Sequence, residues 1–145
     1  MNLYKTAEKS PLGTSFDLDD SLQAIKFNAD GLVPAIAQQY DSGEVLMMAW
    51  MNLQSIRETL ETGRVCYWSR SRQKYWRKGE SSGQIQALKE IRIDCDGDTL
   101  LLIVDQTGPA CHTGRKSCFY NIIKGDHMEI GSEPLIDPET LYGKS

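Results

Sequence analysis

The chain has 145 residues, 40% of them apolar and 25% charged, with a formal net charge of −4. That length suits one domain with a real core, and the acidic balance argues against a general binder of polyanions. No run approaches the roughly 18–20 apolar residues of a membrane span, and "MNLYKTAEKSPLGTSF" has no apolar stretch of signal-peptide length, so a cytoplasmic location with reduced thiols is expected.

In chain order, residues 1–20 read as a flexible N-terminal extension with Pro11, Gly13 and several acids, followed by a single domain over 21–145. "LVPAIAQQY" from Leu32 and "EVLMMAW" from Glu44 read as strands, and the "DSG" between them predicts a hairpin. Asn52 is placed to cap a helix in which Leu53, Ile56 and Leu60 recur at helical spacing, and Gly63 sits where that helix should stop. "RVCYWS" is rich in strand-forming residues, and "KGESSGQ" reads as a loop. "IQALKEIRIDC" and "TLLLIVDQ" predict two strands joined at "DGD". "TGPAC" breaks the second of them, "SCFYNII" starts another short strand or a helix, and "GSEPLIDP" belongs to a loop-rich tail. The fold class expected is α+β, strand-dominated, with one main helix. The run Leu100 to Val104 suggests a strand buried on both faces, in a core or at a dimer interface.

Cysteines 66, 95, 111 and 118 are metal ligands, catalytic groups or buried thiols sooner than disulfides in a reducing compartment. Fifteen residues separate Cys95 from Cys111 and six separate Cys111 from Cys118, which is not the C-x₂-C spacing of a structural zinc module. Buried thiols are one reading. A shared metal site is the other, since Cys111 and Cys118 bracket the polar loop "HTGRKS" and Cys95 lies between acids. Cys66, inside "VCYW", reads as core. Asp94, Asp96 and Asp98 are either a solvated turn or, as clustered carboxylates that repel one another until a cation neutralises them, an oxygen site for Mg²⁺ or Ca²⁺. In an extended segment, alternation would place the three on one face and Cys95 on the other. His112, next to Cys111, becomes a candidate general acid or base if a metal position is open beside it, or a ligand itself.

Arg64, Arg70, Arg72, Lys74, Arg77 and Lys78 fall in one short segment with no acid among them, interleaved with Tyr67, Trp68, Tyr75 and Trp76. Three readings stand: a stacking platform for single-stranded nucleic acid, a solvated strand with its rings turned inward, or an anion pocket. In the last, Arg70, Arg72, Lys78 and the donors of "KGESSG" take a phosphate monoester, with Gly79 and Gly83 permitting close backbone approach.

"SRSRQKYWRKGESSG" (69–83), "DCDGDTLLL" (94–102) and "GPACHTGRKSCFY" (108–120) together resemble phosphoribosyl-AMP cyclohydrolase, a hydrolase of histidine biosynthesis. The resemblance spans about residues 32–121. It implies that Cys95, Cys111 and Cys118 are zinc ligands, Cys95 coming from one subunit and the other two from its partner in an intertwined homodimer. It implies Mg²⁺ on Asp94, Asp96 and Asp98, and a catalytic role for His112. Arg70, Arg72, Trp76, Lys78, Ser81, Ser82 and Gly83 fall in motifs that line the substrate region. The implied substrate is a small phosphorylated nucleotide, N1-(5-phosphoribosyl)-AMP. Its adenine ring would be opened at N1–C6 by zinc-bound hydroxide, giving the formamidino-imidazole carboxamide ribotide, with neither nucleic acid nor membrane as partner.

Overall fold

The structure, a computed structural model, describes residues 2–142. Residue 1 of the expected extension and residues 143–145 of the expected domain lie outside the described residues.

A six-stranded sheet is the centre of the molecule, in the order β4-β3-β2-β1-β6-β5. The strands are β1 (Val33–Gln39), β2 (Val45–Met51), β3 (Cys66–Ser69), β4 (Lys74–Arg77), β5 (Gln86–Ile93) and β6 (Leu100–Gln106). β1 and β2 form the expected antiparallel hairpin, as do β5 and β6. The strand-dominated α+β class is as read from the sequence. The basic segment forms a hairpin: β3 and β4 pair antiparallel with Trp68 opposite Tyr75. The central pairing, β1 parallel to β6 with Ala35 beside Leu100, joins segments far apart in the chain.

Helix α3 (Leu53–Thr62) begins as its sequence dictates. The Asn52 side chain accepts the Ser55 N–H at 2.8 Å, and the Ser55 hydroxyl accepts the Asn52 N–H at 2.9 Å. Two of the donors orphaned at a helix start are thereby satisfied. Gly63 ends the helix with φ of 75°, a left-handed conformation glycine adopts without steric cost. The bidentate Arg77–Glu58 pair ties α3 to β4.

Strand alternation sends Val33, Ala35, Ala37, Leu100, Leu102 and Val104 to one face, all fully buried with Leu46, Met51, Ile56 and Tyr67. The other face is different from the two-sided burial expected of Leu100 to Val104. Ile36, Leu101 and Ile103 are only half-buried there, and Met48 opposite Ile36 is 44% exposed.

α1 (Leu3–Ala7), within the segment read as an extension, and α2 (Leu18–Gln23), which spans its end, place Tyr4 and Leu22 in the core. The tail holds a separate hairpin of β7 (Asn121–Lys124) and β8 (His127–Ile130), then α4 (Pro138–Tyr142).

Candidate active site

Two regions carry the chemistry predicted from the sequence, and β6 separates them. The turn containing Asp94, Cys95, Asp96 and Asp98 enters β6, and the loop with Cys111, His112 and Cys118 leaves it. Seven residues of strand lie between, about 20 Å at 3.3 Å per residue. The second loop stays at the far end because the Cys118 N–H donates to the Leu46 carbonyl at 2.7 Å and the Ser117 hydroxyl to that of Val45 at 2.7 Å, both at the start of β2.

The acids do converge, though as a turn and not by strand alternation. Asp94 Oδ1 accepts the N–H groups of Asp98 (2.9 Å) and Thr99 (3.3 Å), which folds the segment back on itself. Gly97 takes φ of 73° at its apex. Each of the three carboxylates then presents an oxygen within 4.8 Å of the others. Desolvation opposes ionisation of Asp94, but hydrogen bonds from Asp98, Thr99 and Gly97 outweigh it and hold the carboxyl below its ordinary range. Asp98 moves the other way: its hydrogen bond with Asp94, desolvation, and the charges of Asp94 and Asp96 push it up. Three oxygen donors that repel one another fit a hard divalent cation.

The thiols are divided. Cys111 and Cys118 hydrogen-bond each other, and the Thr113 hydroxyl donates to Cys111 Sγ at 3.1 Å. Burial works against a Cys111 thiolate. The Thr113 and Cys118 hydrogen bonds with the Arg115 charge overcome it, and the pKa lies below the ordinary thiol value. Cys118 is pushed up to about 12, by burial first and then by the Cys111 charge. The two thiols are thus driven apart in acidity, and a soft cation bound by both would displace their protons. Cys95 is exposed in its turn. Among the described residues no group of three ligands includes a cysteine. Cys111 and Cys118 offer two positions of a thiolate metal site, and the third predicted ligand is not supplied from within the chain. Cys66, read as core, is buried, and burial with the neighbouring Glu58 pushes its thiol up to about 12.

Beside the thiol pair opens a cavity of about 910 Å³, lined by the β3–β4 hairpin, the loop after it and His112. Of the predicted binding residues, Arg72, Trp76, Lys78, Ser81 and Ser82 line it, joined by Tyr75 and Glu80. Arg70 stands outside it, its guanidinium 4.6 Å from the centre of the Trp50 ring, and Gly83 is not part of the wall. The aromatic rings are occupied with one another: Trp68 meets Tyr75 edge-on at 5.0 Å and Tyr67 meets Trp76 at 5.3 Å.

Lys78 is 4% exposed and has no ion-pair partner among the described residues. Burial pulls its pKa down, while Cys118 and Cys111 hold it up. A buried ammonium on a cavity wall is a strong point charge for an anion. Gly79 shapes that wall with φ of 85°; a Cβ there would meet Ile85 N at 2.4 Å. Gly79→Ala is therefore expected to cost about 2 kcal/mol or more, from left-handed strain plus a backbone clash. Denaturant unfolding measures it, and an unchanged midpoint would contradict the geometry.

Thr113 escaped the sequence reading. Its hydrogen bond to Cys111 follows from the tight loop in which the Cys111 N–H bonds the Arg115 carbonyl, and no motif announces it.

Comparison with known proteins adds an independent observation. A family model described as "Phosphoribosyl-AMP cyclohydrolase" matches residues 47–120, which contain every site residue expected from the sequence. A protein of that name from Alkalilimnicola ehrlichii is 67% identical over 97% of this chain and 99% of its own length. Others of the same name, from Hydrogenovibrio crunogenus and Alcanivorax borkumensis, are 64% and 61% identical, covering 97% and 98% of this chain and 96% and 100% of their own lengths.

Proposed function

This chain belongs to the phosphoribosyl-AMP cyclohydrolase family, hydrolases of a histidine biosynthesis step, and on that premise we propose that it opens the adenine ring of N1-(5-phosphoribosyl)-AMP in a site built from two copies of the chain. One observation carries the reading: the cavity that brings Arg72, Lys78, Ser81 and Ser82 to one wall also presents His112 beside the Cys111–Cys118 pair. Anion-binding groups and a proton carrier thus face the same space.

Two observations support the second copy. Cys95 and the thiol pair lie at opposite ends of β6, so three cysteines meet only if Cys95 comes from another chain. The half-covered apolar face at Ile36, Met48, Leu101 and Ile103 is the kind of surface a second sheet buries. The β7–β8 hairpin adds Ile123, Met128 and Ile130, which are 80%, 60% and 56% exposed. A two-stranded hairpin is marginal without packing.

In this reading Cys111 and Cys118 of one copy and Cys95 of the other hold zinc. Zinc held there would supply a water acidic enough to lose its proton near pH 7. Asp94, Asp96 and Asp98 of that other copy would hold Mg²⁺ beside a substrate phosphate. Lys78 and Arg72 bind phosphate oxygens, Lys78 from a wall with little competing water. The serines and the turn at Gly79 offer hydroxyl and backbone donors. The oxygen of water bonds to C6, the N1–C6 bond breaks, and the exocyclic nitrogen stays on C6 as the new carboxamide. N1 must gain a proton as it leaves. His112, exposed into the cavity, carries that proton, since imidazole titrates near neutrality. A biosynthetic enzyme of this kind suits the cytoplasm, and among the described residues no helix is long and apolar enough to cross a membrane.

Direct assay tests the reaction: the N1-ribosylated AMP, added to metal-loaded protein, should show the near-ultraviolet change of ring opening, and an unchanged spectrum would overturn it. Metal removal tests the two-ion arrangement. Strong chelation should abolish turnover, with zinc restoring it only when Mg²⁺ is also present. Full recovery on zinc alone in Mg²⁺-free buffer would remove the carboxylate site from the reaction.

A further inference from the structure

The apex of the carboxylate turn is gripped from behind. Gly97 is buried although Asp94, Asp96 and Asp98 around it are exposed. What buries it is the Tyr4 ring: a Cβ on Gly97 would lie 2.5 Å from Tyr4 Cδ2 and 2.8 Å from Cε2. Tyr4 is 9% exposed, and its hydroxyl donates to the Ser21 carbonyl, within α2, at 2.6 Å. From the end of α2 the chain grips the same glycine, the Lys26 N–H donating to the Gly97 carbonyl at 2.7 Å. The turn thus has its ring contact and one backbone hydrogen bond from residues 4 and 26, outside the 47–120 match to the family.

We infer that Tyr4 is a positioning residue for the cation site, holding the Asp94–Asp98 turn in the shape that converges its carboxylates. The inference rests on the reading of Asp94, Asp96 and Asp98 as cation ligands. Three like charges drive a free turn apart. The hydrogen bonds within it bring Gly97 and Asp98 back to Asp94. The Tyr4 ring packs flat against the apex so formed, and only glycine tolerates both that contact and the positive φ. Groups that orient ligands from behind typically change metal affinity about 10–100-fold when removed.

Binding of Mn²⁺, a paramagnetic substitute for Mg²⁺, to the full chain is read by electron paramagnetic resonance. Tyr4→Ala should weaken Mn²⁺ binding about tenfold or more, and Tyr4→Phe, which keeps the ring, should stay within about twofold of wild type. Ile56→Ala is the control: it removes a fully buried side chain of α3 and should lower thermal stability without changing Mn²⁺ affinity. Wild-type affinity in Tyr4→Ala, or an equal loss in Ile56→Ala, would overturn the inference while leaving the carboxylate site standing. A wild-type chain whose Mn²⁺ binding is indifferent to Asp96→Asn would overturn both.

Discussion

A Cys95→Ala chain refolded with a Cys111→Ala chain should regain about one quarter of wild-type turnover, while each variant alone stays inactive and short of zinc. The arithmetic follows from twofold symmetry. In the mixed dimer one zinc site has lost both Cys95 and Cys111, and the other has lost neither. Random pairing makes about half of the dimers mixed, each with one of two sites intact. The expectation rests on β6 holding the turn of Cys95 and the loop of Cys111 at its two ends. A thiolate site missing one ligand loses the metal along with activity, so zinc content and turnover should recover together. No recovery in dimers verified to be mixed would show that each chain builds its site alone, and would remove the proposed architecture.

His112→Gln should lower kcat about 10²–10⁴-fold, the usual contribution of a positioned proton carrier. KM should change little, because Arg72, Lys78 and the serines proposed to meet the phosphates are untouched. Zinc content distinguishes the two roles open to this histidine. If it carries the proton, the variant keeps its zinc; if it is a ligand, metal and activity fall together. The exposure of His112 into the cavity suits the first role. Near-normal kcat would remove it from the reaction.

Much of the fold was written locally. Asn52, the apolar spacing after it and Gly63 specify α3 through neighbours within one turn of chain. The "DSG" and "DGD" turns mark two hairpins that form as read. The chemistry-bearing segments were equally plain, since acids, cysteines and the histidine cluster within short stretches. The stacking of Arg70 was not legible for a physical reason: residue type offers a guanidinium, but the Trp50 ring that takes it is twenty positions away. The basic segment, too, gained its strand β4 only through pairing with β3.

By itself, then, the sequence determined the family resemblance, the candidate residues and the local shapes that hold them, because capping, turn formation and side-chain type act over a few residues. Tertiary structure alone decided where those residues stand. The parallel alignment of β1 with β6 sets the carboxylate turn and the thiol loop apart. The fold of residues 108–118 puts His112 over a cavity walled by β4. Tyr4 reaches Gly97 across more than ninety positions of chain. None of these leaves a periodicity or a spacing in the sequence, since each arises from burying apolar faces against partners distant along the chain.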